Sequence, residues 1–235
     1  MNEFPSDSVA VVIGATGGIG AAMVERLGRA PAFTQIIGYS READPRLDLL
    51  DEDSVADAAE HAKTVSAGRL RLVFDATGFL SDEQQKPEKR LRDLNAAALQ
   101  RSFALNAIGP ALLMKHFLPL LPRQGKSAFA TLSARVGSIQ DNELGGWYGY
   151  RAAKAACNQL ARTAAIELAR SRPEAICVAL HPGTTATGLS KPFSKAGLNV
   201  RSPKVAADDL FRVLQDLDIT ATGGFFDHRG APIPY

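Results

Sequence analysis

Residues 147–154 read WYGYRAAK, two tyrosines and a lysine where a polar loop gives way to an alanine-rich run. A phenol can protonate a developing alkoxide, but with a pKa of about 10 a free tyrosine is a poor acid or base near neutrality. Lys154 follows Tyr150 by four positions, so in a helix both side chains fall on one face, where an ammonium group lowers the phenol's pKa. Tyr148 lies six positions before the lysine, roughly 240° around at ~100° per residue, and points away from it. The spacing selects Tyr150 as proton donor and leaves Tyr148 and Trp147 to the pocket wall or to packing at the helix entry.

A proton donor of this kind works with a hydride source, and the N-terminal part of the chain suits one. VVIGATGGIGAAM places Gly14, Gly18 and Gly20 between an apolar run and a helical pattern. The spacing is GxxxGxG rather than GxGxxG, but the physics is similar. Glycines admit a pyrophosphate close to the backbone, and a helix N-terminus offers it free N–H groups. About 20 residues on, where an NAD-preferring dehydrogenase carries an acidic residue for the ribose hydroxyls, the sequence has Ser40 followed by Arg41. A neutral hydroxyl and a planar guanidinium suit a 2′-phosphate. NADP(H) is therefore preferred over NAD(H).

The elements that must position these groups are legible as alternation. Apolar runs at 8–14, 34–40, 70–78, 127–133 and 175–181 read as strands. Helical patterns cover 20–30, the stretch DEDSVADAAEHAK, 88–121, 148–171 and 203–217. Near-continuous apolar strands separated by helices predict an α/β fold: a single-domain, Rossmann-like, doubly wound parallel sheet with helices on both faces over 1–235. Residues 183–204, rich in Thr, Ser, Gly and Lys, form the longest irregular segment. It is expected to cover the substrate with Leu189, Phe193 and Leu198.

With a net charge of +2 over 235 residues and no basic stripe, the chain predicts no nucleic-acid or acidic-membrane partner. Cys157 and Cys177 belong to no CxxC or Cys/His cluster. His61, His116, His181 and His228 form no metal-ligand spacing, so no metal is expected. The N-terminus lacks a basic and then apolar signal pattern, and the apolar stretch 107–122, with two internal prolines, is too short to span a bilayer. A cytoplasmic location is expected.

Six motifs follow in one order along nearly the whole chain: GATGGIG (14–20), LDLLD (47–51), LNAIG (105–109), LSARVG (132–137), YRAAK (150–154) and HPGTTAT (181–187). The set resembles the short-chain dehydrogenase/reductase family. VGSIQDNELGGWYGYRAAKAA and the tail GGFFDHRGAPIPY look like its C-factor-like carbonyl-reductase branch. The resemblance implies a nicotinamide cofactor and a site of Ser, Tyr150 and Lys154 assisted by Asn106, which anchors a proton relay to the lysine. It implies cofactor contacts from Gly14, Thr16, Gly18, Ile19 and Gly20 in the glycine turn and from Asp48 and Leu49 beside the adenine. Gly78, Tyr150 and Lys154 join them, with Pro182, Gly183, Thr185 and Thr187 beside the nicotinamide and diphosphate.

Two departures stand out. Asp75-Ala76-Thr77-Gly78 replaces the family's Asn-Asn-Ala-Gly. The position counted back from Gly137 to the family's catalytic serine is Ala134, leaving Ser133 one residue early. In a regular strand that offset turns Ser133 to the other face, unless a bulge or irregular strand end re-aims it. Ser133 is taken as the catalytic serine, with Ser138 as the alternative. The function expected is NADP(H)-dependent hydride transfer between nicotinamide and a small carbonyl or alcohol substrate. The alternative is an NADP(H)-binding signalling or regulatory module with weak or lost catalysis. The alanines of 152–169 suit either a homodimer or homotetramer contact or packing on the sheet.

Overall fold

The run Ser8–Ile13 (β1), buried at all six positions, lies inside a parallel sheet in the computed structural model, which describes residues 3–188 and 200–235. Phe33–Tyr39 (β2), Leu70–Asp75 (β3), Ser127–Leu132 (β4), Ala175–His181 (β5) and Phe225–Asp227 (β6) complete it in the order β2-β1-β3-β4-β5-β6. The chain moves outward from β1 to β2 and then returns to the other side of β1 at β3. The crevice at the carboxyl ends of β1 and β3 is therefore the topological switch point, where open α/β sheets bind ligands.

Strand side chains alternate between two cores. Helices Glu52–Ser66 (α2), Gly109–Phe117 (α4) and Tyr148–Ser171 (α5) cover Val9, Val11, Ile13, Val73, Phe129 and Cys177. Helices Gly18–Gly28 (α1) and Pro203–Asp216 (α6) cover Ala10, Val12, Leu72, Phe74, Ala130 and Val178. The inner strands are dry on both faces, so they read as nearly unbroken apolar runs, whereas the edge strand β2 exposes Thr34 and Gln35.

The expectation of helix throughout 88–121 needs correction. Helix Ala96–Phe103 begins only after Asn95, whose side chain accepts the Ala98 N–H at 3.1 Å as an N-cap, and is α3 in a numbering that places it before α4. Residues 76–95 form a loop with one short turn at Leu91–Asp93. From Ala96 the helical run continues for 25 residues to Leu120, with mean hydropathy 1.2, so by length and composition it is long enough to cross a membrane. It packs instead against α5 and α2. The length estimate drawn from 107–122 was too short because Pro110 and Pro119 do not break the run. Both sit at first-turn positions, where a missing N–H costs little.

The alanines of α5 divide between two faces. Ala153, Ala161 and Ala165 are buried, whereas Ala152 is exposed and Ala155, Ala156 and Ala164 are half-buried, on a helix whose Leu160 and Ile166 are 37% and 51% exposed.

Candidate active site

α5 starts abruptly. Gly145, Gly146 and Trp147 all have left-handed backbone, with φ of +63°, +65° and +52°, and no side chain at the Trp147 cap position accepts a helix N–H. The missing cap comes from 61 residues earlier in the chain: Glu88 Oε2 accepts the Gly149 N–H at 3.1 Å, and the Glu88 carbonyl accepts the Trp147 N–H at 2.5 Å. Glu88 is buried, its Oε1 has no partner among the described residues, and a Cβ on Gly149 would lie 2.9 Å from that oxygen. No local signal marks Glu88, which falls inside a stretch patterned like helix.

Tyr150 and Lys154 share a face of α5, with the lysine Nζ 6.0 Å from the tyrosine ring centroid. Lys154 is 2% exposed and donates to the Leu132 carbonyl at 2.7 Å, which fixes it at the carboxyl end of β4. Burial pushes the Tyr150 phenol up, and the Lys154 ammonium opposes this. The turn after β4 lies hard against the helix here: a Cβ on Gly137 would sit 2.8 Å from Lys154 Cβ. Tyr148 is more than a third exposed, and Trp147 meets the Tyr150 ring edge-on at 6.3 Å.

β4 keeps an unbroken register with β3 and β5, and Ser133 extends the pairing by donating its N–H to Leu180 O at 2.8 Å. No bulge re-aims it: the Ser133 hydroxyl donates to Asn158 Oδ1 at 2.6 Å, one helical turn past Lys154. Ala134 follows in extended backbone. Ser138, also buried, accepts the Asp141 N–H at 3.1 Å, which leaves its own hydroxyl hydrogen for another acceptor.

Asn106 lies in a π-helical turn, Ala104–Ile108, between α3 and α4. Its side chain is fully buried; Oδ1 accepts the Phe79 N–H at 2.9 Å, and Nδ2 donates to Phe79 O and Ser102 O. Both amide hydrogens are engaged, so a water held here is held by backbone. Asp75, at the end of β3, is 0% exposed and accepts from Thr77 N, Thr77 Oγ1 and Thr131 Oγ1 at 2.9, 2.5 and 2.7 Å. Burial raises its pKa against those hydrogen bonds and the Lys154 charge.

At the nucleotide end, α1 has no side-chain cap and no acid in its first turn, so the N–H groups of Gly18, Ile19 and Gly20 are open to an anion. Thr16 and Gly18 are exposed there, and a Cβ on Gly20 would lie 2.8 Å from the Gly14 carbonyl carbon. A Cβ on Gly18 would lie 3.0 Å from Thr187 Cγ2, which places Thr187 against the glycine turn. Gly78 is exposed just past β3.

Ser40, nearly buried, accepts the Glu42 N–H at 3.1 Å. Arg41 is exposed beside it and has no hydrogen-bond or ion-pair partner among the described residues. The Asp48 carboxylate takes the Leu50 N–H and pairs with Arg46, a second guanidinium at this end that sequence reasoning did not single out. Leu49 packs on Gly109, where a Cβ would sit 2.8 Å from Leu49 Cβ. The glycine turn and the open α1 N-terminus fit the diphosphate of a dinucleotide. Of the expected covering loop 183–204, residues 189–199, including Leu189, Phe193 and Leu198, lie outside the described residues.

Comparison with known proteins gives a consistent picture. C-signal of Myxococcus xanthus is 33% identical over 146 residues, covering 62% of this chain and 83% of its own. Cis-4-hydroxycyclohexanecarboxylate dehydrogenase of Sinomonas cyclohexanicum is 30% identical over 96% of this chain and 91% of its own. The NADPH-bound carbonyl reductase from chicken fatty liver superposes with a TM-score of 0.86 at 22% identity, covering 99% of this chain and 96% of that one. The short chain dehydrogenase family model matches residues 8–197, and the chain belongs to that family of oxidoreductases.

Proposed function

We propose that this protein is an NADP(H)-dependent reductase of small carbonyl compounds, working in reverse on the matching alcohols, in a reducing cytosol. The observation that carries the reading is the pairing of Tyr150 and Lys154 on one face of α5, with the lysine pinned to Leu132 O at the carboxyl edge of the sheet. A bound nicotinamide would supply or accept the hydride. Tyr150 gives its proton to the carbonyl oxygen as negative charge develops there. Lys154 stabilises the resulting phenolate.

Ser138 polarises the oxygen, because its hydroxyl hydrogen is uncommitted while that of Ser133 is held by Asn158. Asn106 holds the Phe79 backbone in place, so that a water on the π-turn backbone can reload the lysine. The uncapped α1 N-terminus and the glycine turn hold the diphosphate. Arg41, with Ser40, takes the 2′-phosphate, in keeping with the NADPH bound by the chicken enzyme. A homodimer or homotetramer would use the outward face of α5, where Leu160 and Ala164 line a cleft of about 390 Å³ with Ala111 and Met114 of α4.

Tyr150→Phe tests the mechanism. NADPH oxidation with a responsive aldehyde or ketone should fall by about 10²–10⁴-fold while NADPH fluorescence titration shows unchanged binding. Turnover at the wild-type rate would overturn it. Tight NADPH binding with no turnover of any carbonyl by the wild type would favour the regulatory reading, for which Ala134 in place of a serine is the supporting residue.

A further inference from the structure

A second group of polar side chains gathers at the carboxyl ends of β4, β5 and β6, away from the glycine turn. His181 ends β5 and pairs in register with Asp227 of β6, which His228 follows. Arg135 lies in the turn after β4. Arg201 enters from beyond the 188–200 interval, its backbone bonded to Thr184 O and to the Ala186 N–H.

Three nitrogens here are buried with no hydrogen-bond partner among the described residues: His181 Nδ1, His228 Nδ1 and Arg201 Nε. Gly183, with φ of +75°, lets two of these side chains converge. A Cβ there would lie 3.0 Å from Arg201 Cδ and 3.2 Å from His228 Nδ1. Unpartnered buried polar atoms are rare in folded proteins and costly, so their gathering from three chain segments calls for a ligand.

The local charge says which kind. Burial pushes His181 down to about 4, with Arg135 and His228 acting in the same direction and Asp227 against. Burial also lowers His228, with Arg201, Arg229 and Arg135 adding to it and Asp227 again opposing. Four guanidinium groups, Arg135, Arg201, Arg212 and Arg229, thus stand among three carboxylates, Asp141, Asp209 and Asp227, leaving one positive charge in excess, and Asp227 already accepts the Arg229 and Ala231 N–H groups. Asp209, which pairs with Arg201, is shared with Arg212.

Resting on the reading of Tyr150 as proton donor, we propose that His181, His228 and Arg201 form a subsite for a carboxylate on the substrate, so that the preferred substrates are oxo acids or hydroxy acids. Lys154 is fixed at the end of β4. The ends of β5 and β6 stand one and two strand spacings away, roughly 5 and 10 Å, which suits a carboxylate several bonds from the reacting carbon.

The test compares 4-oxocyclohexanecarboxylate, 4-oxopentanoate and 5-oxohexanoate with their methyl esters, using NADPH. The wild type should favour at least one acid over its ester by tenfold or more in kcat/KM. Arg201→Gln and His228→Gln, each checked for an unchanged melting temperature, should lower that acid-to-ester ratio at least tenfold. Esters reduced as well as acids, or a ratio untouched in whichever variant folds, would overturn the subsite while leaving the Tyr150 mechanism intact. If neither acids nor esters are reduced, the reductase reading fails. Calorimetric titration of the three acids into NADP⁺-loaded protein then decides the subsite alone: binding weakened by the substitutions supports it, and absence of binding refutes it.

Discussion

Replacing Lys154 with methionine keeps the length and burial of the side chain and removes one charge. The ammonium lies 6.0 Å from the Tyr150 ring centroid. At an effective dielectric constant of about 20, a unit charge at that separation is worth ~3 kcal/mol to a phenolate, or roughly two pKa units. Burial raises the Tyr150 pKa and Lys154 opposes it, so Lys154→Met should move the phenol up by about that amount. Ultraviolet difference titration of wild type against Tyr150→Phe isolates the Tyr150 phenolate among the four tyrosines, and repeating it in the Lys154→Met background reads the shift without a substrate. Alcohol oxidation needs the phenolate, so its half-maximal pH should rise in parallel, with Lys154→Arg restoring part of the shift. A Tyr150 titration that does not move in Lys154→Met, in a protein whose melting temperature is retained, would refute the electrostatic role and leave the lysine as a positioning group only.

Arg41→Ala should weaken NADPH binding by about 10–100-fold and leave NADH affinity nearly unchanged, as fluorescence titration of the two nucleotides would show. Glu88→Ala uncaps the first turn of α5 and should cost about 1–2 kcal/mol in urea unfolding, while Glu88→Gln, which retains an acceptor for the Gly149 N–H, should lose less. His181 is held neutral in the fold down to about 4, whereas in the unfolded chain it protonates near 6.5. Its contribution is therefore complete above pH ~6.5 and is lost as pH falls toward 4, by up to about 3 kcal/mol. Urea unfolding of His181→Gln should show a shallower loss of stability across that window than the wild type.

The parts of the site that act through neighbours on one element were legible in the sequence. Tyr150 and Lys154 are four apart on a helix, and the glycine turn joins a strand to a helix, so a local period or spacing reports both. The sheet was legible for a related reason: a strand dry on both faces admits few polar residues, and those it has, such as Thr131 and Asp75, are hydrogen-bonded to each other. What did not show was whatever depends on a distant partner. Glu88 looks like a helical glutamate until Gly149 and Trp147 are brought onto it. Asp75 reads as a departure from a motif until Thr77 and Thr131 close around its carboxylate. The helix expected from residue 88 failed for the same reason, since the loop before Asn95 is held by Glu88 to the start of α5 and by Phe79, Asp82 and Gln85 to Asn106, Arg101 and Ala98.

The glycines connect what could be read with what could not. Gly18 admits Thr187, Gly109 admits Leu49, Gly137 admits the Lys154 backbone and Gly183 admits Arg201 and His228. In each pair the sequence displays the glycine, and only the fold supplies the partner that a Cβ would push away. Three of these contacts join the glycine turn to Thr187, α4 to the loop before α2, and the turn after β4 to α5. The fourth is built the same way and brings Arg201 and His228 together at the carboxyl ends of β5 and β6. A close approach maintained beside three unpartnered buried nitrogens is what a substrate-binding contact requires, and packing alone would have favoured apolar side chains at those positions.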